Sequence, residues 1–178
     1  KIVLLFILTF CMLTTFKGVS QNKTVETTGD IIRFVLPATT LATTFIIGDT
    51  KGSWQFTKGL LLNEALTFGL KYAVKKERPD QSDNLSFPSG HTSTTFHSAS
   101  FIHRRYGFKY SIPAYALAGF TAYSRLDANK HDGWDVLAGA VIGVGSTFLF
   151  TTEYQQEHME LTFNKVDEAY LLGFNFKF

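Results

Sequence analysis

The chain has a single cysteine, Cys11. No internal disulfide and no multi-cysteine zinc cluster can hold it together, so its stability has to come from burial. Net charge is scarce as well, since seventeen Lys and Arg against fifteen Asp and Glu leave a formal +2. That is too little for a protein that grips nucleic acid by neutralising many phosphates, and any anion site must be local. No fixed-period repeat is present, which removes a solenoid from consideration. What the chain does have is apolar mass: 45% of its 178 residues are hydrophobic and 18 are Phe. Such a composition excludes a disordered chain and predicts one compact domain, with long apolar stretches suited to a packed helical core or to a membrane.

Residues 1–20 have the layout of a secretory signal: Lys1, an uncharged run from Ile2 to Thr15, then Lys17, Gly18, Val19 and Ser20. The small residues Gly18 and Ser20 permit cleavage before Gln21, which leaves 158 residues. An uncleaved N-terminal anchor helix fits the same run. Bulky Phe10 before Cys11 does not suit lipid attachment at that cysteine. Signal or anchor, the segment directs the remainder of the chain to export.

The region 21–158 reads as a helical domain. Ile31 to Gly48 is apolar apart from Arg33 and Pro37, and Asp30 is placed to cap a helix there. Trp54 to Lys76 carries Phe56, Leu60, Leu61, Ala65, Phe68 and Tyr72 at three- and four-residue intervals, the pattern of an amphipathic helix. Residues 79–90 read as a loop, with Asp80 and Asp83 in a solvated turn. Helices are expected over His91–Arg104 and Ile112–Ser124, broken at Tyr106-Gly107. No charge occurs between Asp135 and Glu153, and Gly139, Gly143 and Gly145 with Ala138 and Ala140 offer a small-residue packing face, so this segment is expected to be a deeply buried helix. The tail 159–178 changes to a two-residue period and predicts a β-hairpin around Asp167-Glu168. Ending on Phe178 is also a trait of outer-membrane barrel strands, but two strands cannot close a barrel.

Three polar clusters stand at the ends of these helices. Lys71 and Arg78-Pro79 place two cations near one helix end, where Arg can pair with phosphoryl oxygens through its planar fork and Lys as a point charge. Beside Lys75 and Lys76, the same residues also read as a solvated basic end. Pro88-Ser89-Gly90-His91 enters a helix, where free amides can hold phosphate oxygens and Gly90 allows close approach; an ordinary Ser cap gives the same pattern. Ser124-Arg125, His131 and Asp135 complete the set. A His and an Asp four apart can share a helix face, so that the carboxylate orients the imidazole, or the group can simply cap the apolar helix.

Together these clusters resemble the three-part signature of the type 2 phosphatidic acid phosphatase superfamily, which also includes bacterial acid phosphatases and vanadium haloperoxidases. All eleven defined positions agree, in order, across residues 71–135. The resemblance implies an all-α bundle of about five core helices and a phosphatase that needs no metal or other cofactor. It implies that His131 is the nucleophile that becomes a phosphohistidine, with Asp135 holding its tautomer. His91 would protonate the departing alkoxide and then activate water. Lys71, Arg78 and Arg125 would hold the equatorial oxygens, joined by Ser89 and the backbone of Gly90.

A metal site built from His91, His131 and Asp135 with His97 or His103 is the rival, and three converging cations disfavour it. His97, His103 and His158 are otherwise expected on helix surfaces or interfaces. The membrane branch of the family acts on lipid phosphates and pyrophosphates. Ile31–Gly48 and Val136–Thr152 are almost long enough to span, and Arg104-Arg105 to Lys109 would mark the inner side. His91–Ile102 is short and polar for a span, so a soluble periplasmic acid phosphatase stays open, as do haloperoxidase chemistry and a non-enzymatic binder of anionic lipid. The leading expectation is an envelope phosphatase in the inner membrane with a periplasm-facing site, taking a lipid phosphate or a small phosphate ester. The sequence is silent on oligomeric state.

Overall fold

A computed structural model describes residues 23–154 and the backbone of two strands, 159–166 and 169–176. The expectations for residues 1–20, Cys11 and His158 fall outside the described residues. Among those described, the helices run in order as α1 Lys23–Ile46, α2 Thr50–Val74, α3 Gly90–Tyr106, α4 Phe108–Asp127 and α5 Gly133–Phe150. Met159–Val166 (β1) and Ala169–Phe176 (β2) then pair antiparallel, from Met159 opposite Phe176 to Val166 opposite Ala169. The helices form an all-α bundle with α3 at its centre, packed against each of the other four.

The bundle is apolar outside and polar inside. Among the described residues only eight hydrophobic side chains are buried, while Leu61, Phe68 and Tyr72 of α2 are 64%, 47% and 61% exposed. The periodic apolar stripe of α2 is real, but apart from Phe56 it faces outward; Ser53, Asn63, Thr67 and Lys71 face in. α5 is likewise not deeply buried, since Leu137, Val141 and Leu149 are exposed and only the Gly139, Gly143, Ser146 and Thr147 face packs inward. A Cβ at Gly139 or Gly143 would strike the Ser89 or Ser93 carbonyl of the α3 region, whereas Gly145 faces open space and takes no part.

Hydroxyls make this interior possible, because a Ser or Thr can satisfy itself on its own helix. Thr40 donates to Leu36 O at 2.8 Å, Thr94 to Gly90 O at 2.8 Å and Ser98 to Thr94 O at 3.1 Å. The polar character of α3 therefore reflects burial in protein: Ser93, Thr95, Ser98 and Ser100 are all fully enclosed. His97 also lies inside, not on a surface, with Nδ1 near Ser146 Oγ and Thr147 Oγ1 and Nε2 near Phe56 O. Small and hydroxyl side chains inside with large apolar ones outside is the arrangement of helices that associate in lipid. α1 and α5 are long and apolar enough to cross a bilayer, at about 36 and 27 Å by helical rise.

Several boundaries differ from expectation. α1 starts at Lys23, eight residues early, so Asp30 lies within the helix and caps nothing. The Thr-rich and Gly-containing start disfavours helix locally, but Gly29 lets α1 press against Ser124 and Arg125 of α4. α5 begins at Gly133 behind the cap Asp132, so His131 precedes the helix and does not share its face with Asp135. At the opposite end of the bundle, Asp49 caps α2 and binds Arg105 through both carboxylate oxygens, at 2.8 and 2.6 Å. Arg105 is 1% exposed, so it offers no charge to an inner membrane surface, and Arg104 is paired with Glu153 at 2.7 Å.

Candidate active site

The three clusters meet at the end of the bundle where α1, α3 and α5 start and α2 and α4 stop. α2 closes with Lys75 in the left-handed region, its N–H on Lys71 O, and this turn sends the chain into the loop that carries Arg78. Lys71 is buried and donates to Leu85 O at 2.5 Å. Arg78 is fixed by Asp83 at 2.7 Å and reaches Lys130 O and His131 Nε2, each at 3.3 Å, through Nη1. Asp80 accepts from Lys130 at 2.5 Å, so the two loop carboxylates tie the loop to its basic neighbours and are not merely solvated.

Ser89 caps α3: its side chain accepts from the Thr92 amide, and its own N–H donates to Asp135 O at 2.9 Å. Gly90 comes next, and a Cβ there would lie 3.8 Å from Arg33 Nη2 and 3.9 Å from Lys71 Cε, so the backbone floor of the site runs beneath these cations. Arg125 sits 3% exposed at the end of α4, giving Nη1 to Asp30 at 2.7 Å, Nη2 to Glu26 O at 2.7 Å and Nε to Ser124 Oγ at 3.1 Å.

His131 Nδ1 stands 3.7 Å from Asp135 Oδ2, beyond a hydrogen bond, and is buried without a hydrogen-bond partner. The reason lies on the carboxylate. Asp135 already accepts from Ser86 Oγ at 2.5 Å, the Asp132 amide at 3.0 Å and Lys76 Nζ at 2.8 Å, the last shared with Asp132 at 2.6 Å. Lys76 is thus no solvated helix end. It and Ser86 anchor the carboxylate that faces His131, and neither is marked by the motif spacing.

The electrostatics favour an anion. Burial, then Arg78 and Lys71, hold the His131 imidazole below its ordinary value against the pull of Asp135. For His91, burial comes first, then Arg125 and Arg33, with His131 and Arg78 adding to the shift, and its pKa is pushed down to about 2. Its Nε2 lies 2.8 Å from Asp30 Oδ1. Both Asp30 and Arg33 escaped the motif reading. A lone carboxylate and a lone guanidinium in an otherwise apolar run were the available signal. Among the described residues no three His, Cys, Asp or Glu side chains converge as a metal site. An open hollow of about 310 Å³ beside Arg104 and Phe148 lies at the opposite end and holds none of these groups.

Burial, and after it Arg78, lower the Lys71 ammonium from 10.5 to about 8. Its charge is present below that pH and lost above it, so the inhibition constant of inorganic phosphate should rise steadily from about pH 8 to about 9.5. Lys71→Arg stays protonated throughout and should flatten that limb; an unchanged slope would count against Lys71 as an anion ligand.

Compared with known proteins, residues 52–159 match the model of the PAP2 superfamily. The chain is 31% identical over 147 residues to the lipid A 4'-phosphatase of Helicobacter pylori, covering 76% of this chain and 74% of that protein. It is 39% identical over 105 residues to the lipid A 1-phosphatase of Porphyromonas gingivalis, covering 53% of this chain and 24% of that protein. The crystal structure of Aquifex aeolicus LpxE has the same fold, with a TM-score of 0.62 at 20% identity over 80% of this chain and 92% of that one.

Proposed function

Starting from the fact that this chain belongs to the PAP2 superfamily and is a lipid phosphatase of it, we propose that it removes a phosphomonoester from a lipid A-type glycolipid through a phosphohistidine on His131. One observation carries the reading. Arg78 donates toward Nε2 of His131, Lys71 acts on the same imidazole, and Arg33 and Arg125 act on that of His91. An anion seated among these cations meets the neutral nitrogen of His131.

In the first step the P–O ester bond breaks as a P–N bond forms to His131 Nε2, and His91 gives a proton to the departing alkoxide. Charge on the transferring phosphoryl is held by Lys71, Arg78 and Arg125 with the Ser89–Gly90 backbone. In the second step water attacks phosphorus, His91 takes its proton, the P–N bond breaks and inorganic phosphate leaves. His91 begins neutral among its cations. The arriving phosphate dianion offsets that field, so protonation of the acid accompanies substrate binding.

The apolar exterior supports a lipid substrate over a soluble one. α1 and α5 both have one end at the site and the other at the Asp49–Arg105 end, so helices that cross the bilayer put the chemistry at one membrane face. Lys51 and Lys109 lie toward the far end, which by the positive-inside rule supports a site that faces the periplasm. The test is phosphate release from lipid A phosphates, phosphatidate, isoprenyl pyrophosphate and soluble esters. Lipid A phosphates are expected to give kcat/KM at least about tenfold above the soluble esters. Vanadate should inhibit and chelators should not; comparable turnover of soluble esters would favour a non-specific acid phosphatase, and loss to a chelator restored by one metal would overturn the mechanism.

A further inference from the structure

The signature supplies a carboxylate for His131 but none for His91. We propose that Asp30 of α1 is the positioning residue of His91, holding Nε2 so that Nδ1 is the nitrogen that hands its proton to the leaving oxygen; this rests on the phosphatase reading above. Asp30 Oδ1 lies 2.8 Å from His91 Nε2 and 2.7 Å from Arg125 Nη1, bridging the acid and a phosphate ligand. An imidazole with one nitrogen on a carboxylate presents the other to its substrate. No hydrogen bond engages Nδ1 of His91 among the described residues.

The surroundings of the ring explain why a carboxylate is needed there. His91 faces Asp30 and Arg33 from α1, Arg125 from α4, Arg78 from the loop after α2 and His131 from the connection before α5. Asp30 is the single anionic group in that company, and without it three guanidiniums oppose the imidazolium that must form when substrate arrives. Its place is secured by the close approach of α1 to α4 at Gly29, where any Cβ would collide with the Ser124 side chain. Asp30 is half-exposed, so it can follow small movements of the ring without the cost of burying a lone charge.

The proton accounting gives a readout specific to this role. As the P–O bond breaks, the proton on Nδ1 moves to the leaving oxygen and His91 becomes neutral; water later returns a proton to Nδ1. A p-nitrophenolate leaving group needs no proton, whereas an alkoxide does. kcat/KM covers only the steps up to release of that group, so hydrolysis of the phosphoenzyme, common to all substrates, does not enter.

The experiment compares kcat/KM for p-nitrophenyl phosphate and for an alkyl phosphate of similar size in wild type and Asp30→Asn. The alkyl ester is expected to lose about 100-fold and the aryl ester less than about tenfold. Retained aryl turnover also shows that the variant is folded, and Asp30→Ser offers the same comparison should the amide not fold. Equal losses on both esters would assign Asp30 to Arg125 or to the fold alone and overturn the proposal, as would no loss on either. A wild-type protein that releases phosphate from neither of these esters nor from lipid A phosphates refutes the phosphatase reading itself, an outcome distinct from an unchanged ratio in an active enzyme.

Discussion

Phosphate release from every ester is expected to fall by about 10⁴-fold or more in His131→Ala, while inorganic phosphate still binds within about tenfold of wild type. The proposed nucleophile and the cationic seat it faces are separable. Lys71, Arg78 and Arg125 are each held by groups other than His131: the Leu85 carbonyl, Asp83 with the Lys130 carbonyl, and Asp30 with the Glu26 carbonyl. Truncating the ring leaves those cations in place. It removes the nitrogen that the covalent mechanism uses, while the neighbouring imidazole of His91 stays held by Asp30. Isothermal titration of phosphate alongside a phosphate-release assay reads both halves. Activity within about tenfold of wild type would sink the covalent mechanism, and loss of activity together with binding would mean that His131 holds the pocket and does not attack.

The largest stability effect belongs to the other end of the bundle. Asp49→Ala is expected to cost about 3–5 kcal/mol, because it takes the neutralising carboxylate from a buried guanidinium. Asp49 and Arg105 have side chains 2% and 0% exposed, and the carboxylate also accepts from the Gly52 amide and the Tyr106 hydroxyl at 2.8 and 2.7 Å. Replacing Arg105 by Met in the same chain removes that charge, so the double variant should unfold later on heating than Asp49→Ala alone. A double variant no better than the single would show that the helix cap matters more than the ion pair. The pair also sets an acid limit. Burial raises the Asp49 pKa, but Arg105, Tyr106 and the Gly52 amide outweigh it and hold the group below 3.8. A depressed folded pKa means that this contribution is complete above the unfolded value of 3.8 and is lost as pH falls through the folded one.

How much of this could be read from the chain itself differs by element. The motif residues were legible because their types and spacings follow the signature of the family whose model the chain matches. Lys76 was not, because its partners Asp132 and Asp135 lie 56 and 59 positions away and nothing local distinguishes it from Lys75. Asp30 was mistaken for a cap for the same reason, since His91 and Arg125 are 61 and 95 positions distant. Helical periodicity located the apolar stripe of α2 but said nothing about which side it faced. A 3.6-residue repeat has the same phase whether its apolar side meets protein or lipid. The buried Ser and Thr rows of α3 carried the answer, and in the sequence they read only as too polar for a span.

The first of the described helices, Lys23–Ile46, lies wholly outside the stretch 52–159 by which the family is recognised. A graft or minimal version built from that stretch would inherit all eleven hallmark side chains and look complete to any motif scan. It would arrive with two arms of the Arg125 guanidinium unclothed, since both Asp30 and the Glu26 carbonyl would be gone. Chimeras between relatives should therefore move α1 together with the family stretch as one cassette.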